Sequence, residues 1–149
     1  MTIAITGATG NIGRAAALSL IDSGVDDVRL LVRSPAKRPD ELKGLPYAVC
    51  TYADDEAAVA ALEGVDALLM VSAKESPHRV ADHRAFIDAA SRARVGSIVY
   101  TSFLGAAPEA IFTHARDHFF TEEHIKASGI AWTFLRDSFY LEFFAELMA

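Results

Sequence analysis

The chain is poor in the features that would place it outside an ordinary globular fold. It has one cysteine, Cys50, among 149 residues, so no internal disulfide forms. That suits a reducing compartment, with Cys50 read as a small buried apolar residue. It has no excess of positive charge: 14 Lys and Arg stand against 20 Asp and Glu, a net charge of −6. This argues against a nonspecific nucleic-acid partner. No apolar run is long enough to span a bilayer, and no basic segment followed by an apolar stretch opens the chain. A cytoplasmic protein without a membrane partner is expected. Repeats, low-complexity segments and domain linkers are also missing, so residues 1–149 read as one domain.

What is present starts at the first turn. Thr2-Ile3-Ala4-Ile5-Thr6 reads as a buried strand and Arg14 to Ile21 as a helix. Between them lies Gly7-Ala8-Thr9-Gly10-Asn11-Ile12-Gly13. A glycine-rich turn from strand to helix brings backbone N–H groups and the positive helix end up to a phosphate. Gly7, Thr9, Gly10, Asn11 and Ile12 are therefore candidate dinucleotide contacts.

Short apolar runs then alternate with helical patterns. Strands are expected at Val28–Arg33, Tyr47–Thr51, Ala67–Val71, Ser97–Thr101 and Trp132–Leu135. Their lack of polar alternation suits burial on both faces. Gly24 is expected to end the first helix. Asp54 is expected to cap a helix that stops at Gly64. Pro77 opens one stopped near Gly96, and Thr113 or Ala115 one ending at Ser128-Gly129. The alternation predicts an α/β fold with a parallel sheet and helices on both faces. Ser138 to Met148 is helical in pattern but apolar on most sides, so either another subunit or more chain is expected to cover it. A homo-oligomer or part of a longer chain follows.

The cofactor preference comes from the end of the second strand. An acid there would accept hydrogen bonds from a ribose diol and favour NAD. Arg33 stands there instead, followed by Ser34-Pro35-Ala36-Lys37-Arg38. A guanidinium grips a 2′-phosphate with two parallel bonds, and Lys37 or Arg38 adds a second charge. NADP(H) is the expected cofactor.

Several segments together resemble one family. They are Ile3 to Gly13, Val32-Arg33-Ser34-Pro35-Ala36-Lys37, Asp55-Glu56-Ala57-Ala58, Tyr100-Thr101-Ser102, His118 with Thr121-Glu122, Ser128-Gly129, and Leu135-Arg136 with Tyr140. On these the chain resembles the NmrA-like branch of the atypical short-chain dehydrogenases, in particular bacterial type 2 NADPH:quinone oxidoreductases. The resemblance implies a three-layer Rossmann fold, with the nicotinamide over the ends of the fourth to sixth strands. Val71, Ser72, Ala73 and Ser102 join the candidate cofactor contacts. Family members continue into a smaller substrate lobe, which lies beyond the point where this chain stops. Two positions depart from the family pattern: Tyr52 where relatives carry Asp near adenine, and Asp137 where they carry Asn.

Ordinary short-chain dehydrogenases use Tyr-x-x-x-Lys as an acid–base pair, and the corresponding positions hold His114 and His118. Quinone reduction has less need of a dedicated tyrosine acid. His118 and Tyr140 are the candidate catalytic residues, and hydride transfer from NADPH to a quinone without flavin is the expected chemistry. A non-catalytic NADP(H)-binding redox sensor is the alternative. His114, His118 and Glu122 share one helical face, read as a polar face lining a cleft or meeting solvent rather than as a metal site. Ser102 serves either catalysis or backbone satisfaction. Phe139 and Tyr140 either stack on a quinone or pack in the terminal helix.

Overall fold

The computed structural model describes residues 1–53, 55–141, 144 and 148. Asp54 and, in the terminal segment, Glu142, Phe143, Ala145, Glu146, Leu147 and Ala149 lie outside the described residues. Six strands form one sheet: β1 (Ile3–Thr6), β2 (Val28–Val32), β3 (Tyr47–Val49), β4 (Ala67–Met70), β5 (Ser97–Phe103) and β6 (Ala131–Asp137). Their order is β3-β2-β1-β4-β5-β6, and every pairing is parallel. Four helices connect them: α1 (Asn11–Asp22), α2 (Glu56–Leu62), α3 (Arg79–Arg92) and α4 (Thr113–Ala127). This is the doubly wound Rossmann order, which reverses between β1 and β4. A crevice for ligands opens at that reversal, beyond the carboxyl ends of the strands.

Neighbouring residues of the inner strands serve different cores. Ile5, Leu30 and Val32 pack with Ala17 of α1. Ala4, Leu31, Leu68 and Ile98 pack with Leu62, Phe86, Ile87 and Ile125 of α2, α3 and α4. That two-sided demand is why β1 and β2 read as unbroken apolar runs. Each fully buried large side chain, such as Phe86, contributes about 1.5–3 kcal/mol.

The outer strands differ from the expectation. In β6, Trp132 and Leu135 are exposed, and in β3 so are Tyr47 and Val49. Each is an edge strand hydrogen-bonded to a single neighbour, β5 or β2. Two helix boundaries also differ. Asp55, not Asp54, caps α2, its carboxylate accepting from Ala58 N–H at 2.8 Å; such a cap is worth about 1 kcal/mol. Gly96 does not stop α3, which ends at Arg92 with Arg94 at φ 59°. Gly96 instead allows close approach, since a Cβ there would sit 2.6 Å from Asp66 O. Among the described terminal residues, Leu141 and Met148 are strongly exposed, while Phe139 packs beside Phe103, Phe112 and Phe144. Among the described residues no helix is long and apolar enough to cross a membrane.

Candidate functional site

The glycine turn sits at the carboxyl end of β1, against the crevice. Gly7 adopts φ 65°, and a Cβ on it would meet Val71 Cβ at 3.1 Å. Gly10 N–H donates to Gly7 O at 2.9 Å and closes the turn. Gly13 is the tight point: a Cβ there would lie 2.5 Å from both Gly7 C and Gly7 O. The first bond of α1 runs from Arg14 N–H to Gly10 O at 3.1 Å, and no side chain caps the helix. The N–H groups of Asn11, Ile12 and Gly13 therefore precede the helical ladder at the positive end of its dipole, the geometry that receives an anion.

The basic segment divides into two roles. Arg38 lies 3.8 Å over the Tyr47 ring and donates to Pro35 O, Lys43 O and Leu45 O. It is a strut for its own loop. Arg33 and Lys37 are exposed, and neither side chain makes a hydrogen bond or ion pair among the described residues. Arg14, at the other side, is paired with Glu41.

The loop after β4 is held on all sides. Val71 N–H donates to Thr6 Oγ1 and Ser72 N–H to Thr101 Oγ1, each at 2.8 Å. Ala73 N–H donates to His83 Nε2 at 2.9 Å, and Arg79 Nε donates to Ala73 O at 2.9 Å. Val71 O accepts from the Tyr52 hydroxyl. Tyr52 thus faces inward, 2.6 Å from Thr6 Oγ1 and stacked at 4.6 Å on Phe86. Burial raises its phenol well above the usual range.

Between α3, α4 and β5 lies a buried polar network, which corrects one expectation. His118 and Glu122 neither meet solvent nor line a cleft: they are 1% and 0% exposed. Arg79, also fully buried, places Nη2 2.8 Å from His118 Nε2 and Nη1 3.2 Å from His114 Nδ1. A guanidinium only donates, so the facing histidine nitrogens must accept. This assigns the His118 proton to Nδ1, which donates to the Tyr100 hydroxyl at 2.9 Å. Burial first, then the Arg79 charge, lowers His118 to about 2 and His83 to about 3. The same two causes lower His114. Asp117 lies 3.7 Å from Arg79 and also lines an open cavity of about 460 Å³ with Glu75, Ser76, Pro77 and Thr113.

Ser102 donates to Glu122 Oε1 at 2.5 Å. The same carboxylate takes both arms of Arg136, at 2.9 and 2.6 Å. The Tyr140 hydroxyl donates to Asp137 Oδ2 at 2.9 Å. Burial, then its bond to Asp137, raises the Tyr140 phenol to about 12. The Phe103 ring lies 6.0 Å from His118 and 5.4 Å from Phe139, the neighbour of Tyr140 in the chain. Among the described residues no three His, Cys, Asp or Glu side chains group as metal ligands.

A family model described as NAD(P)H-binding matches residues 7–142. The chain belongs to this NAD(P)H-binding family. Quinone oxidoreductase 2 of Escherichia coli (strain K12) is 38% identical over 142 residues, 94% of this chain and 49% of that protein. The crystal structure of the NADPH-dependent quinone oxidoreductase of Escherichia coli complexed with NADPH superposes with a TM-score of 0.89 and 37% identity, over 97% of this chain and 52% of that one. The Citrobacter sp. triphenylmethane reductase complexed with NADP(H) gives a TM-score of 0.88 and 31% identity, over 97% and 52%. The chain spans about half the length of the curated relatives it matches.

The site fits the cofactor of an NAD(P)H-binding domain. The cradle has no room for a Cβ at Gly13, its helix start carries no side-chain cap, and a free guanidinium stands past β2. Arg79, His83, Thr6 and Thr101 escape a reading by motif. Yet Arg79 and His83 fall on one helical stripe with buried Ile87 and Ala90. Polar residues in a core stripe are the signal that a network is buried there.

Proposed function

We propose that this chain forms the cofactor-binding half of an NADPH-dependent oxidoreductase that reduces a quinone without flavin. Arg33 carries the reading: an exposed cation without a partner among the described residues, at the strand end where NAD-binding domains place an acid. Gly7, Thr9, Gly10, Asn11 and Ile12 would hold the pyrophosphate, and Arg33 with Lys37 the 2′-phosphate. Val71, Ser72, Ala73 and Ser102 would wall the nicotinamide side. When bound, NADPH supplies a hydride to an electron-poor ring. His118 acts from behind the site by fixing His114 and Arg79, and Tyr140 with Asp137 offers a hydroxyl at the margin. The setting we propose is a reducing, cytoplasmic one, which a chain whose single cysteine, Cys50, is free and buried fits.

One observation favours a second reading, a redox sensor that binds NADP(H) without turnover. His118 has both ring nitrogens engaged, and Tyr140 gives its proton to Asp137. Neither stands ready as an acid. Mixing the protein with NADPH and a small quinone, flavin removed, separates the readings. Faster loss of nicotinamide absorbance than without protein supports the enzyme. Tight NADPH binding with no such loss supports the sensor.

A further inference from the structure

We propose that Arg79 is a positioning residue that couples the loop Val71–Ala73 to the histidine pair of α4. One planar group holds both parts. Its Nε–H binds Ala73 O, while its two terminal nitrogens bind His114 and His118. His83 adds a parallel strap, with Nε2 accepting from Ala73 N–H and Nδ1 2.9 Å from Thr121 Oγ1 of α4. Both polar groups of the Ala73 backbone are thereby tied through α3 to α4.

The arrangement goes beyond what packing requires. Arg79 lies on the stripe of Ile87 and Ala90, where an apolar side chain would fill the space without burying a charge. Its nearest carboxylate, on Asp117, is 3.7 Å away, so much of the compensation comes from neutral acceptors on the two elements it joins. A guanidinium is rigid and flat, so a displacement of Ala73 O turns the plane that the histidine rings follow. From His118 the chain of bonds continues to Tyr100 of β5. A lysine keeps the charge but cannot span three acceptors in one plane.

The inference rests on reading Val71–Ala73 as a cofactor contact, and one experiment separates the two. Backbone amide and histidine-ring nitrogen NMR are recorded on the protein and on Arg79→Lys, with and without NADPH. In the unaltered protein NADPH should shift the Ser72 and Ala73 amides and the His118 ring nitrogens. In folded Arg79→Lys the amides should still shift and the His118 response should be lost. A His118 response that persists in the variant overturns the coupling. So does its absence in the unaltered protein while the amides move. Unmoved amides refute the cofactor-loop reading itself. The unaltered protein supplies a test that needs no variant: His118 should carry its proton on Nδ1, and a proton on Nε2 contradicts the proposal.

Discussion

Arg79 Nη2 and His118 Nε2 lie 2.8 Å apart, with neither residue more than 1% exposed. A permanent cation therefore faces a histidine that must stay neutral in the folded chain. The consequence for stability has a definite sign. Folding lowers His118 to about 2 and His83 to about 3 from an ordinary 6.5. Below pH 6.5 the unfolded chain takes up these protons first. The stabilisation is complete above 6.5 and is lost as pH falls toward the folded values. Each histidine removes about 1.4 kcal/mol per pH unit in that window. Urea unfolding at pH 7 and pH 5.5 should differ by about 2–3 kcal/mol from this pair. Equal stabilities at the two pH values would contradict the buried neutral pair.

Arg33→Ala should discriminate between the cofactors. A charged hydrogen bond is worth about 1.5–3 kcal/mol, so NADPH affinity should fall about 10-fold to 100-fold. NADH, which lacks the 2′-phosphate, should bind the variant within about twofold of its original affinity. Calorimetry with both nucleotides checks this, and equal losses for the two would remove Arg33 from the phosphate site.

The glycines of the cradle should separate folding from binding. A Cβ at Gly13 would lie 2.5 Å from the Gly7 backbone, so Gly13→Ala should cost about 1–3 kcal/mol of stability and weaken NADPH binding. At Gly10 a Cβ would meet only Gly7 O, at 3.4 Å. Gly10→Ala should stay within about 1 kcal/mol of the original stability, yet weaken binding where the backbone must approach the pyrophosphate. Denaturant melts and NADPH titrations on the two variants give the comparison. A Gly13→Ala protein as stable as the original would show that α1 does not pack as closely as described.

Tyr52→Phe probes the closure of the crevice. It leaves Val71 O without its donor and Thr6 Oγ1 without one partner. A buried group stripped of a bond costs about 1–3 kcal/mol, which urea unfolding would register. No loss would mean that the hydroxyl bonds contribute nothing net.

The order of elements and the turn at Gly7–Gly13 were legible because each depends on neighbours in the chain. The inner strands β1 and β2 announce their burial through runs such as Leu30-Leu31-Val32. Edge strand β6 carries a similar run, Trp132-Thr133-Phe134-Leu135, and local sequence does not say that it has one neighbouring strand. In the candidate site, Arg33 was legible as an exposed cation past β2, and the burial of His118 was not legible. The i, i+4 spacing of His114, His118 and Glu122 is what a solvent-facing helix also shows. The burial of His118 and Glu122 comes with Arg79, Tyr100, Ser102 and Arg136, which arrive from α3, β5 and β6. Only the fold brings those partners together.

The Gly7–Gly13 cradle and Arg33 together should bind NADPH in preference to NADH. Titrating the protein with each nucleotide under the same conditions tests it most directly. NADPH should bind at least about tenfold more tightly than NADH, the ratio that one charged bond to the 2′-phosphate supplies. Equal affinities, or no binding of either nucleotide, would contradict the account.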